Sequence, residues 1–130
     1  MKTQGQIESE ISEAIIRFEK DYMGRGPMEA RTYILDDMIL VRLKGVLTPA
    51  ERKLASDDAG FEGRELIKQV RLKLLERGRT LLESLIQGIT GATVVSLHTD
   101  ISTRTGERVI VFTLLSPLRT DGQTPEGRST

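Results

Sequence analysis

The stretch from Thr93 to Leu115, TVVSLHTDISTRTGERVIVFTLL, constrains the fold most. Two runs rich in Val, Ile, Leu, Thr and Phe flank a polar loop, Ser102 to Glu107, that carries one glycine. That pattern predicts a β-hairpin whose loop needs a positive φ at Gly106. With Ser102 opposite Glu107, Leu97 faces Phe112, His98 faces Val111 and Thr99 faces Ile110. Val95, Leu97 and Ile101 then share a core surface with Ile110, Phe112 and Leu114. The other face carries Val94, Ser96, His98 and Asp100 beside Val109, Val111 and Thr113. It is too apolar for a solvated face and too polar for a plain core.

The rest of the chain supplies partners for this hairpin. Ile7, Ile11, Ala14, Ile15 and Phe18 recur at helical spacing and predict a helix over about 6–23, stopped by Gly24. Residues 30–35 and 38–46 read as a first hairpin turning at Asp36-Asp37. Thr48-Pro49-Ala50-Glu51 is a helix start with cap, N1 proline and capping-box glutamate. The helix pauses at 56–60 and resumes over about 61–88. Its expected apolar stripe is Ile67, Val70, Leu74, Leu81, Leu85 and Ile89, flanked by Leu66, Leu75, Leu82 and Ile86.

A helix of ~28 residues is ~42 Å long, whereas four strand axes span only ~15 Å. Either the helix breaks near Gly78, or its excess length packs on a second subunit. The latter predicts a homodimer. The fold expected is α+β, in the order α-β-β-α-β-β, with a four-stranded antiparallel sheet and helices on one face. Residues 1–115 form a single domain. Residues 116–130, rich in Pro, Gly and polar side chains, read as a flexible tail.

Composition excludes several functions. The 19 basic side chains balance 19 acidic ones, so no global field favours nucleic acid. With no cysteine and one histidine, thiolate chemistry and a multi-histidine metal site within one chain are ruled out. Arg64, Lys68, Arg71, Lys73, Arg77 and Arg79 make the long helix locally basic, interspersed with Glu62, Glu65 and Glu76. The run reads as a solvated face with i,i+4 ion pairs, with an acidic partner or anionic ligand as the alternative. No run is apolar over the ~18 residues needed to span a bilayer. The first 16 residues show neither signal nor transit pattern, which predicts a cytoplasmic protein without direct membrane insertion.

Gly5-Gln6-Ile7-Glu8, Tyr22-Met23-Gly24-Arg25-Gly26-Pro27, the segment Asp37 to Glu51, and His98 to Ser102 with Thr105-Gly106-Glu107 resemble the MpsC-like family. These are small bacterial proteins named after a component of a cation-translocating, membrane-potential-generating system. The resemblance covers nearly all of the chain up to Leu115. It implies an accessory role beside membrane subunits linked to ion or inorganic-carbon uptake, and it supplies no catalytic residues.

Three functions compete. The first is a non-catalytic, homodimeric accessory or regulatory module that binds a protein partner, using the face of Val109 and Val111. The second is a sensor of a small anion or nucleotide, with Arg25, Arg42, His98 and Arg104 supplying charge and Gly24 and Gly26 supplying backbone N–H groups. The third is an enzyme in which His98 and Asp100, two apart on one strand, act as a general base pair. The first is preferred, so no catalytic residue, metal ligand or cofactor is assigned.

Overall fold

Helix α1 (Gln4–Met23) begins at Thr3, whose hydroxyl accepts the Gln6 N–H while the Gln6 side chain accepts the Thr3 N–H. This reciprocal cap satisfies two donors that the first turn cannot satisfy itself. Ile7, Ile11, Ala14, Ile15 and Phe18 are buried on one side, as their spacing predicts, and Glu19 joins them. Gly24, at φ 84°, ends the helix with its N–H on the Lys20 carbonyl. The computed structural model describes residues 2–56 and 60–118.

Both expected hairpins form. β1 (Glu29–Leu35) pairs with β2 (Met38–Lys44) around Asp36-Asp37, and β3 (Val94–Ile101) pairs with β4 (Arg108–Leu114). β2 and β4 join the hairpins into one antiparallel sheet of order β1-β2-β4-β3. The expected partners Leu97–Phe112, His98–Val111 and Thr99–Ile110 are the observed ones. Inward residues of the four strands, among them Ile34, Ile39, Val41, Leu43, Leu97, Ile101, Ile110, Phe112 and Leu114, form one core with the buried side of α1.

One strand position departs from the expected alternation. A register shift between Val94 and Ser96 sets Val94 opposite Leu114 and packs it on the core, leaving Val95 53% exposed. The extra residue of a bulge reverses the facing of everything before it. Val94 and Val95 therefore exchange the faces that strict alternation assigns them.

The capping sequence at Thr48 starts a short helix, α2 (Pro49–Leu54), with the expected box between Thr48 and Glu51. It is separate from α3 (Gly60–Thr90), so the order is α-β-β-α-α-β-β. At 31 residues α3 is ~46 Å long. It runs unbroken through Gly78, and its buried line is Ile67, Arg71, Leu75, Gly78, Leu82 and Ile86. The stripe is rotated from the expected one, leaving Val70 and Leu81 exposed together with Leu66. The expected stripe erred because Arg71 lies on the buried line, where its charge argued against placing it.

Gly78 neither breaks α3 nor marks a contact with a second subunit. A Cβ there would lie 2.6 Å from two ring carbons of Phe18, which stacks on Tyr22 at 4.6 Å between centroids. The missing side chain lets α1 and α3 of the same chain approach. At the far end Leu118 is buried, with its N–H directed at the Asp36 carbonyl, so packing extends three residues past the expected boundary at 115. The remainder of the expected tail, 119–130, lies outside the described residues. Among the described residues no helix is long and apolar enough to cross a membrane.

Gly78→Ala should destabilise the fold by about 1–3 kcal/mol, because the buried Phe18 ring must be displaced. Urea unfolding checks this. A neutral or stabilising effect, as expected from helix propensity at an open position, would show that α1 and α3 are not in this contact.

Candidate functional site

The helices cover only one side of the sheet, and the seven candidate residues divide according to that fact. Arg42, His98, Asp100, Val109 and Val111 all stand on the uncovered side. The register arranges this side in three rows across the four strands. Arg31, Arg42, Val109 and Asp100 form one row; Tyr33, Leu40, Val111 and His98 form the next; Leu35, Met38, Thr113 and Ser96 form the third. Tyr33, Leu35 and Met38 are exposed, and Leu40, Val109 and Val111 are half-buried. The mixed character read from β3 and β4 thus extends over the whole face.

Arg25 and Arg104 lie elsewhere, so the four cations expected to gather around an anion do not converge. Arg25 donates to the Leu47 carbonyl at 3.2 Å, and thereby ties the loop after α1 to the segment before α2. Arg42 is outward-facing and hydrogen-bonded to Glu107, a contact that raises its pKa. The Asp100 carboxylate accepts the Ile101 N–H and faces Lys68 at 3.6 Å; His98 is not its partner. The enzyme reading needed a carboxylate that orients the imidazole, and Asp100 is turned to other groups.

Arg104 lies in the second feature, a cleft of about 850 Å³ between α2, the start of α3 and the β3–β4 loop. Arg52, Arg64, Lys68 and Arg104 line it, together with loop hydroxyls; Asp100 and Val109 reach its rim from the sheet.

Sequence reasoning missed the most buried cluster of charged side chains among the described residues. Glu19 of α1, Arg71 of α3 and Arg108 of β4 are at most 2% exposed. The two carboxylate oxygens of Glu19 stand 3.6 Å from Arg71 Nη1 and from Arg108 Nη1 respectively. These distances exceed hydrogen-bonding range, so the attraction is Coulombic through a low-dielectric interior. Arg71 also clasps Glu51 in a fork, Nε to Oε2 at 3.0 Å and Nη2 to Oε1 at 2.6 Å, and Nη2 donates to the Val46 carbonyl at 2.7 Å. Arg108 Nε donates to Thr99 Oγ1, whose hydroxyl donates to the Val109 carbonyl.

Burial pushes the Glu19 carboxyl above its ordinary range, with Arg108 and Arg71 drawing it only part of the way back. Burial lowers the Arg108 pKa, against the pull of Glu19. Burial would also raise Glu51, but the hydrogen bonds from Arg71 and from the Thr48 N–H outweigh it and hold Glu51 below its ordinary value. Among the described residues no group of His, Asp and Glu is placed to hold a metal ion.

Comparison with known proteins gives the fold a family. Residues 3–116 match the family described as "Na+-translocating membrane potential-generating system (MpsC)". The chain belongs to the MpsC family. It is also 52% identical over 117 residues to "Uncharacterized protein YbcI" of Bacillus subtilis (strain 168), covering 90% of this chain and 92% of that protein. No solved structure gives a significant match.

The two glutamates give opposite pH signatures. Glu51, depressed in the fold, contributes stability that is present above the ordinary value of 4.5 and lost as pH falls through its lower folded value. Glu19, raised in the fold, contributes stability that is present below 4.5 and lost as pH rises through its higher folded value. Glu51→Gln should therefore flatten the acid loss of stability and Glu19→Gln should steepen it, measured by urea unfolding at a series of pH values. Parallel acid limbs in all three proteins would contradict the assignment.

Proposed function

We propose that this MpsC-family protein is a non-catalytic accessory subunit of a membrane-potential-generating system, and that it acts as a homodimer formed through the uncovered face of its sheet. The observation that carries the reading is the self-complementarity of that face. Its β1–β2 half carries Arg31, Arg42 and Lys44, with Glu29 standing 3.3 Å from Arg31, whereas its β3 edge carries Asp100.

A two-fold axis parallel to the strands, between β2 and β4, lays each row on its own reverse. Arg31 then meets Asp100 of the partner subunit, Tyr33 meets His98 of the partner subunit, and Leu40 meets Val111 of the partner subunit. Leu40 and Val111 occupy the centre, Arg42 lies against Val109 of the partner subunit, and the opposite charges Arg31 and Asp100 stand at the edges. An apolar centre with a charged rim is the arrangement found in specific interfaces. Such an isologous contact closes on itself after two copies. Sheets stacked face to face in this way pack at about −30°.

The family description supports the cellular role. A sodium-translocating system needs membrane-spanning parts, and no described helix of this chain can serve as one. An accessory function beside such parts fits both facts. The protein partner is then a subunit of that membrane system.

Val111→Glu places a carboxylate in the central row and should convert a dimer into a monomer of unchanged circular dichroism. Light scattering behind size exclusion reads the mass. In cells, loss of the protein should reduce the sodium-dependent part of the membrane potential, and Val111→Glu should fail to restore it. An unchanged potential in cells lacking the protein would overturn the accessory role, and a wild-type monomer would overturn the dimer.

A further inference from the structure

We propose that the cleft between α2, the start of α3 and the β3–β4 loop binds a compact phosphorylated anion carrying at least two negative charges. The first ground is charge that the fold leaves uncompensated there. Of the two carboxylates lining the cleft, Asp100 faces Lys68 at 3.6 Å and Glu107 is hydrogen-bonded to Arg42. Among the described residues, Arg52, Arg64 and Arg104 have no carboxylate within ion-pairing distance. Asp57 and Asp58, between α2 and α3, lie outside the described residues. Three guanidinium groups around one concavity concentrate a positive field, and each presents the planar fork that matches phosphate oxygens.

The second ground is the state of the loop hydroxyls. Ser102 Oγ accepts the Thr105 N–H and Thr105 Oγ1 accepts the Glu107 N–H, both at 3.2 Å. Each hydroxyl has thereby used an acceptor lone pair on the backbone and keeps its own proton to donate. An anion needs donors, and these two are held on a loop fixed in advance. Gly106, at φ 75°, donates its N–H to the Ser102 carbonyl at 2.8 Å, while its own carbonyl accepts the Val46 N–H at 3.0 Å. The loop is therefore fastened both to itself and to the segment following β2. Preorganisation of this kind lowers the entropic cost of binding.

The ligand class follows from what lines the cleft. Its volume of about 850 Å³ is that of a small-molecule site. No aromatic side chain is among its lining residues, so no face is offered for a nucleobase to stack on. Recognition rests on the charged oxygens, which favours a compact polyanion over a nucleoside. The site is separate from the three rows of the uncovered sheet except at the rim residues Asp100 and Val109, and its occupancy does not depend on the proposed function.

Inorganic pyrophosphate is the probe, added to the full-length protein at ionic strength held constant with sodium chloride. Isothermal titration should give a saturable isotherm, and the melting temperature should rise with ligand concentration. Arg64→Ala and Arg104→Ala should each weaken binding by about tenfold or more, the scale for loss of a charge-assisted hydrogen bond. Arg17→Ala, on the exposed side of α1, should leave it unchanged. Arg52→Ala gives an independent arm should either cleft variant fold poorly. No heat or thermal shift beyond that of the salt control would overturn the site. So would affinity that survives the cleft substitutions, since the anion would then sit elsewhere.

Discussion

Glu19 meets Arg71 and Arg108 where α1, α3 and the sheet come together, and the rest of the structure depends on that meeting. A single carboxylate inside a core of this size is costly unless cations accompany it. Here one cation comes from the long helix and one from the central strand β4, so α1, α3 and the sheet must be in register for the Glu19 carboxylate to lie between both cations. Arg71 extends the connection outward through its fork on Glu51 and its bond to the Val46 carbonyl. Glu51 also completes the capping box of α2 by accepting the Thr48 N–H. One side chain thus fastens the start of α2 and the exit from β2 to the middle of α3. Charge networks of this kind are poor sources of net stability, but they penalise every alternative packing in which a partner is missing.

The same arrangement explains why the sheet is one-sided. α1 and α3 lie side by side, brought close at Gly78, and together they account for the buried face of the four strands. Nothing in the chain crosses to the other side among the described residues. The three rows left open combine aliphatic and aromatic side chains with charges segregated by strand. A face that merely met solvent would have little need of Tyr33, Leu40 and Val111 in one row. The cleft, by contrast, arises where the helical layer and the β3–β4 loop meet at one end of the sheet, and its character is set by charge rather than by apolar area.

Much of this was legible from residue spacing. The alternation in β3 and β4, the capping box at Thr48 and the glycine after α1 each reflect local rules that tertiary contacts did not override. The uncovered face was recognisable in the mixed character of His98, Asp100, Val109 and Val111. The buried charges were not recognised, although their positions carried a signal. Arg71 sits four residues after Ile67 and four before Leu75, and Arg108 alternates in phase with Ile110, Phe112 and Leu114. Periodicity is compatible with both inside; the charge of Arg71 argued for a solvated face, and Arg108 received no assignment. The convergence of Arg52, Arg64, Lys68 and Arg104 had no such signal, because it depends on how α2 and α3 turn relative to the hairpin loop. The bulge at Val94 was equally invisible, since one extra residue leaves no mark in composition.

The central claim, that the open sheet face pairs with itself about an axis parallel to its strands, is tested most directly by charge reversal at Arg31 and Asp100. These residues stand on the two outer strands, three strand spacings or about 14 Å apart, so close coupling between them can arise only across two copies. The dissociation constant of the dimer is measured for wild type, Arg31→Glu, Asp100→Arg and the double variant. Each single reversal should weaken the dimer, and the double variant should recover most of the loss. A double variant weakened by the sum of both changes, or a wild-type chain that stays monomeric, would contradict the account.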